Sequence, residues 1–178
     1  LRAQALRRTA RALARRDALG KEEAANLLRF HLEHERAVVA SLARFLKVPE
    51  DLGAEAARFL DQLRVMVGEP PAAPAAEGDG RLVFRRDPEL KGTMSAFGYD
   101  YFADKYGEDK ASAVRLLSFR GLRGSGDEYA YEVLNFADGR RNAQQVRDAV
   151  SAVYGPVPLE LVVEYLRALE TIKVVSSR

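Results

Sequence analysis

Residues 69–80 read EPPAAPAAEGDG, and this stretch constrains the fold more than any other. Proline removes backbone donors and glycine is costly to order, so the run sustains neither helix nor sheet. It also has nothing large to bury. The composition predicts a linker at 69–80 with separately folding segments on either side.

Upstream, the apolar period is helical. Residues 2–19 place Leu6, Ala10 and Leu13 at helical spacing, and Gly20 breaks the pattern. A longer helix is expected from Lys21 to Lys47. Its broad apolar face holds Leu27, Leu28, Phe30, Val38, Leu42, Phe45 and Leu46, and Pro49 ends it. A third helix, Leu52 to Val67, groups Ala56, Phe59, Leu60, Leu63 and Val67 before Gly68 stops it. Residues 1–68 therefore read as a helical hairpin or three-helix unit.

Downstream, residues 81–126 form an aromatic-rich connecting segment. Leu82, Val83 and Phe84 suit a short strand, and Asp87-Pro88 suits a helix start. Phe97, Tyr99, Tyr101, Phe102 and Tyr106 crowd together, a helix is expected over Glu108–Ser118, and Gly121, Gly124 and Gly126 mark a turn. At the entry to residues 127–178, Ser125 with Glu128 has capping-box spacing ahead of Tyr129, Val133 and Phe136. Asp138-Gly139 reads as a turn, and Asn142 with Gln145 repeats the cap ahead of Val146, Ala149, Val150 and Val153. Pro158 opens a third helix faced by Leu159, Val162, Val163, Leu166 and Leu169, and Lys173–Ser176 reads as a strand. Three short helices and a terminal strand give a winged-helix-like order. The expected fold class is mainly α, with an N-terminal helical unit, a linker and a C-terminal winged-helix-like module.

The chain has 178 residues, 47% apolar and 30% charged, a globular balance. Its net charge of +2 exerts no global pull toward nucleic acid or membrane. It has no cysteine, which excludes disulfides, thiolate metal sites and a Cys nucleophile without settling the compartment. No apolar run is long enough to predict a transmembrane segment, and no signal-peptide pattern stands out. The first residue is Leu1, which raises the expectation of preceding polypeptide.

The only histidines, His31 and His34, lie beside Glu35. Helical geometry turns all three toward the apolar arc of their helix. Buried polar groups need partners. Imidazole and carboxylate at these spacings make His31, His34 and Glu35 a candidate metal set; a hydrogen-bonded or interface-facing cluster is the competing reading. Arg2, Arg7, Arg8, Arg11, Arg15 and Arg16 accompany no acid within residues 1–16. A solvated face pairing with acids elsewhere is favoured over phosphate binding. The aromatics at 97–106 could serve as a ligand platform or as a local core.

No nucleic-acid partner is expected. The third helix of a winged helix enters the major groove, and here it carries Glu160, Glu164 and Glu170 against Arg167 alone. No G-x-S-x-G or P-loop is present, and Gly121–Gly126 (GLRGSG) lacks the βαβ setting of a dinucleotide fingerprint.

Three runs in the last segment are Tyr131-Glu132-Val133-Leu134-Asn135-Phe136, Asp138-Gly139-Arg140 and Tyr154-Gly155-Pro156-Val157-Pro158-Leu159; further upstream stand Gly98-Tyr99-Asp100-Tyr101 and Leu116-Leu117-Ser118. Together they resemble the C-terminal region of large bacterial M28-type zinc aminopeptidases. That family holds a pair of zinc ions through His, Asp and Glu in an α/β peptidase domain, and none of those ligand motifs can be placed here. The resemblance implies a non-catalytic accessory region serving domain packing, substrate access or oligomerisation. Zinc would lie in the parent peptidase domain and none in this segment. The implied partner is an upstream catalytic domain or another protein, with homo-oligomerisation open, in a secreted or periplasmic setting. No catalytic residue is carried over. A shorter likeness is to winged-helix modules that grip leader peptides by strand addition, which keeps a peptide- or protein-binding role as the alternative.

Overall fold

The computed structural model describes residues 2–42, 44, 47, 50–92, 94–96 and 98–178. Phe45, Leu46, Pro49 and Phe97 lie outside the described residues, so the readings that rest on them stop there. The chain is mainly helical with a small three-stranded antiparallel sheet. It divides into two compact units, Leu1–Ala73 and Pro74–Arg178.

The first unit is three helices, α1 (Arg2–Arg16), α2 (Lys21–Leu42) and α3 (Glu50–Val67), each packed on the other two. Its apolar core is small: the buried apolar residues are Ala5 and Ala12 of α1, Ala25, Leu27 and Leu28 of α2, and Leu63 and Val67 of α3. Alanines on α1 let its backbone approach closely, so part of the interior is polar: Thr9, Asn26, His31 and Glu35 are also buried. Helix ends follow the dipole rule, with Glu22 and Glu23 opening α2, Glu50 and Asp51 opening α3, and Arg15 and Arg16 closing α1. Gly68 stops α3 at φ +79°, its N–H bonding to the Arg64 carbonyl at 3.0 Å.

In the second unit, β1 (Val83–Arg86) is the middle strand between β4 (Asp138–Asn142) and β5 (Val175–Ser177), antiparallel to both. Between β1 and β4 the chain forms a two-residue hairpin, β2 (Ser95–Ala96) and β3 (Tyr99–Asp100), then α4 (Tyr101–Tyr106), α5 (Glu108–Ser112), a 3-10 turn at Arg115–Ser118 and α6 (Gly126–Phe136). Helices α7 (Ala143–Tyr154) and α8 (Leu159–Thr171) lead to β5. The core joins Phe84 of β1, Leu116, Tyr129 and Val133 of α6, Val146 and Val150 of α7, and Val162, Leu166 and Leu169 of α8. Residues 81–126 thus share one sheet and one core with residues 127–178.

Several local readings change. Asp87-Pro88 starts a turn, because Asp87 accepts from the Glu89 N–H through its side chain and from the Leu90 N–H through its carbonyl. Asp is as good an Asx-turn former as a cap. The helix expected over 108–118 breaks after Ser112. The Arg115 N–H is drawn to Glu164 of α8 at 2.8 Å, and the Arg115 Nε bonds the other carboxylate oxygen at 2.7 Å. Asp138-Gly139 opens a strand, with Gly139 at φ +76° beside the β1–β4 irregularity. The last strand begins at Val175, because Lys173 adopts φ +61°. Both capping boxes form: the Ser125 N–H donates to Glu128 at 2.8 Å, and Asn142 and Gln145 exchange bonds of 3.0 and 2.9 Å. Among the described residues no single helix is long and apolar enough to cross a membrane.

Candidate functional site

The His31, His34 and Glu35 set does not converge. His31 is buried, and its Nε2 lies 2.8 Å from the Thr9 hydroxyl oxygen. Thr9 gives its own proton to the Ala5 carbonyl at 2.9 Å, so the ring nitrogen is the donor and neutral His31 is the Nε2–H tautomer. Both Glu35 oxygens are taken by Arg8, at 2.5 Å from Nε and 2.7 Å from Nη2. His34 is exposed. The buried arc of α2 centres on Leu28, His31 and Glu35, where α1 covers it, and that rotation leaves His34 outside.

Burial lowers the His31 pKa against an opposing pull from Glu35. The Arg8 hydrogen bonds hold the Glu35 carboxyl below its ordinary value. Among the described residues no group of three His, Asp or Glu side chains is placed to hold a metal. A zinc ion does not fit donors already committed to Thr9 and Arg8. The arginine cluster is also partly committed: Arg2 pairs with Glu55 and sits over the Phe59 ring, and Arg16 pairs with Asp17.

The second unit holds a cleft of about 680 Å³ walled by the β2–β3 hairpin, α4, α6 and α8. That is the size of a site for a small molecule or a few side chains, which run from about 300 to 1,000 Å³. Helix α6 serves two faces at once. Tyr129 and Val133 are fully buried, while Asp127, Ala130, Tyr131 and Leu134, at i, i+3, i+4 and i+7, line the cleft. Phe102 of α4 stacks on Tyr106 at 5.0 Å and meets Tyr165 of α8 edge-on at 5.5 Å. Tyr154 closes another side, tilted against Tyr129, whose hydroxyl donates to the Gly155 carbonyl at 3.1 Å.

Among the described residues the charged groups that line the cleft are mostly acidic, Asp100, Asp127 and Glu128 beside the cation Arg86. Tyr165 is 3% exposed. Burial first, then the charges of Asp100 and Asp127, push its phenol far above the ordinary range. It therefore stays a neutral hydroxyl.

Of the aromatics at 97–106, Phe102 lines the cleft, whereas Tyr99 is exposed and donates to Asp104 at 3.2 Å. Asp127, Tyr131, Tyr154 and Tyr165 were not singled out from the sequence as site residues. For Asp127 and Tyr131 the signal was the second helical stripe, Asp127–Tyr131–Leu134, beside the core stripe; Tyr154 and Tyr165 lie on other helices and carry no such local signal.

Several donors of the outer strands are occupied from within. On β4, the Arg140 and Arg141 N–H groups both bond Asp138 Oδ1 at 2.9 Å, and the Asn142 N–H bonds Gln145. On β5, the Ser177 N–H bonds Glu170 Oε1 at 2.7 Å. Side chains that blunt outer strands remove the donors an added strand would use. No protein-family model, curated protein or solved structure matches this chain.

Proposed function

We propose that this chain is a non-catalytic accessory region of a larger M28-type metallopeptidase, and that its second unit works by polypeptide contact. The observation that carries this reading is the aromatic-walled cleft. Concave, mostly apolar walls with a few polar groups are the usual form of a binding site. The residues behind the aminopeptidase resemblance also build its walls: Tyr131, Leu134, Asn135 and Tyr154 fall in those runs and line the cleft.

The order α6–β4–α7–α8–β5, with the middle strand β1 supplied from upstream, supports reading this unit as winged-helix-like. In this reading the module contacts its partner through the cleft and not by strand addition, since its outer strands are capped by side chains. DNA recognition is disfavoured by the acids of α8 and by the burial of much of that helix, including Leu161, Val162, Tyr165 and Leu166.

The test is titration of the full chain with a library of short peptides, read by amide shifts in α4, α6 and α8 and by tyrosine fluorescence. Peptides should perturb the cleft first. Perturbation confined to other surfaces, or none, would defeat the contact role. Zinc-dependent release of amino acids from aminoacyl substrates by this chain would defeat the non-catalytic one.

A further inference from the structure

The cleft carries charge that its apolar walls do not require. Two of its three carboxylates are partly used by the fold: Asp100 Oδ1 accepts from the Ala103 N–H at 3.1 Å to cap α4, and Glu128 closes the capping box with Ser125. Asp127 has no hydrogen-bond or ion-pair partner among the described residues. The one cation among the lining residues does not neutralise them. Arg86 is turned to the carbonyls of Leu90 and Gly92, at 3.1 and 2.6 Å, and braces that turn.

An independent observation comes from α8. Tyr165 is 97% buried by its 3% exposure, lines the cleft, and its hydroxyl has no hydrogen-bond partner among the described residues. The ring is enclosed, while the hydroxyl oxygen itself stays accessible from the cleft. Here the open valence faces the same space as the free carboxylate. A neutral hydroxyl beside two anions that bond no cation among the described residues is suited to a ligand that brings both positive charge and several donors.

We propose that the cleft takes the guanidinium of an arginine side chain in a polypeptide, with Asp127 and Asp100 as counter-charges and the Tyr165 hydroxyl oxygen as a further acceptor. This inference rests on the polypeptide-contact reading above. Guanidinium is the match because its donors fan out in one plane and can reach separate acceptors at once, which a single ammonium cannot do as directly. The aromatic wall offers a second term. Tyr131, 53% exposed, stands at the mouth where a guanidinium plane can stack on its ring. The apolar wall of Phe102 and Leu134 accommodates the methylene stem.

The experiment uses the full chain and four probes: capped arginine (N-acetyl-arginine methylamide) and three short peptides of one sequence carrying arginine, lysine or citrulline at one position. Citrulline keeps the shape and removes the charge. The arginine peptide should bind at least about tenfold more tightly than the citrulline peptide and measurably more tightly than the lysine peptide, with affinity falling as salt rises. Asp127→Asn and Tyr165→Phe should each weaken the arginine peptide and leave the citrulline peptide unchanged. Unaltered far-ultraviolet dichroism and an unaltered melting temperature control for folding. Equal binding of arginine and citrulline peptides, or an indifferent Asp127→Asn, overturns the guanidinium assignment and leaves the polypeptide reading standing. Equal binding of arginine and lysine peptides overturns the choice of guanidinium over simple charge. Capped arginine binding as tightly as any peptide overturns the polypeptide reading instead, and binding of none of the probes overturns both.

Discussion

Arg8→Met should destabilise the first unit more than Glu35→Gln does, although both break the same ion pair. The side chain of Glu35 is 2% exposed and that of Arg8 is 33% exposed. Removing Arg8 strands a carboxylate in the interior. Breaking a wholly buried pair from one side costs about 3–5 kcal/mol. Solvent at the Arg8 end screens part of this, which brings the expected loss to about 2–4 kcal/mol. Glu35→Gln leaves the charge on the member that water reaches, and costs about 1–2 kcal/mol. The double change Arg8→Met/Glu35→Leu should fall within about 1 kcal/mol of the parent, because no unpaired charge remains. The pH dependence gives the sign. Glu35 in the parent has a lowered folded pKa, so its contribution is whole above the unfolded carboxyl range, about 4.3, and is lost as pH falls through the folded value. Without Arg8, burial raises that pKa instead, and the penalty of Arg8→Met shrinks on acidification. All seven tyrosines lie in Pro74–Arg178, so near-ultraviolet dichroism reports the second unit, and far-ultraviolet loss without a tyrosine change reports the first. Equal penalties for the two single variants, or a penalty below about 0.5 kcal/mol for Arg8→Met, would refute the reasoning.

Three further outcomes are expected. His31 should titrate below the ordinary imidazole value as the Nε2–H tautomer, seen by nitrogen-15 correlation spectra; its contribution to stability is whole above about pH 6.5 and is lost as pH falls through the lowered folded pKa. A Cβ added at Gly126 would lie 2.1 Å from the Leu117 carbonyl oxygen, so Gly126→Ala should cost at least about 2 kcal/mol in thermal unfolding of the tyrosine signal. Gly53 sits inside α3 with nothing within 4 Å of an added Cβ, so Gly53→Ala should stabilise the first unit by about 0.5–1 kcal/mol, read from far-ultraviolet melts.

What the sequence disclosed was whatever has a local period. The three N-terminal helices, both capping boxes and the stripes of α6, α7 and α8 depend on neighbours three or four residues apart. What it hid depends on distant pairing. Val83–Arg86 is only half apolar, and nothing within it says that Asn142 and Ser177 will flank it. The cleft was hidden for the same reason, since Asp100, Asp127 and Tyr165 meet only after α4, α6 and α8 pack. At His31 and Glu35 the local angle was sufficient to foresee burial. It failed at His34, because a residue at the margin of an arc is decided by where the neighbouring helix sits.

The acidic surplus of residues 127–178 looks from composition like a solvated face, but much of it has a structural task. Glu128 and Asp138 satisfy backbone donors at a helix start and a strand, Glu164 anchors Arg115, and Glu170 meets the Ser177 N–H while pairing with Arg167. Each of these carboxylates closes a site where another chain would find an open donor or an unpaired cation. Glu170 serves twice, as one of the acids of α8 and as the acceptor for the Ser177 N–H of β5. Asp127 stands apart from this pattern, because it lines the cleft with no partner among the described residues. A carboxylate left over when its neighbours are committed to the fold, beside a tyrosine hydroxyl that opens on the same cleft, is where the free energy for recognising a cation can reside.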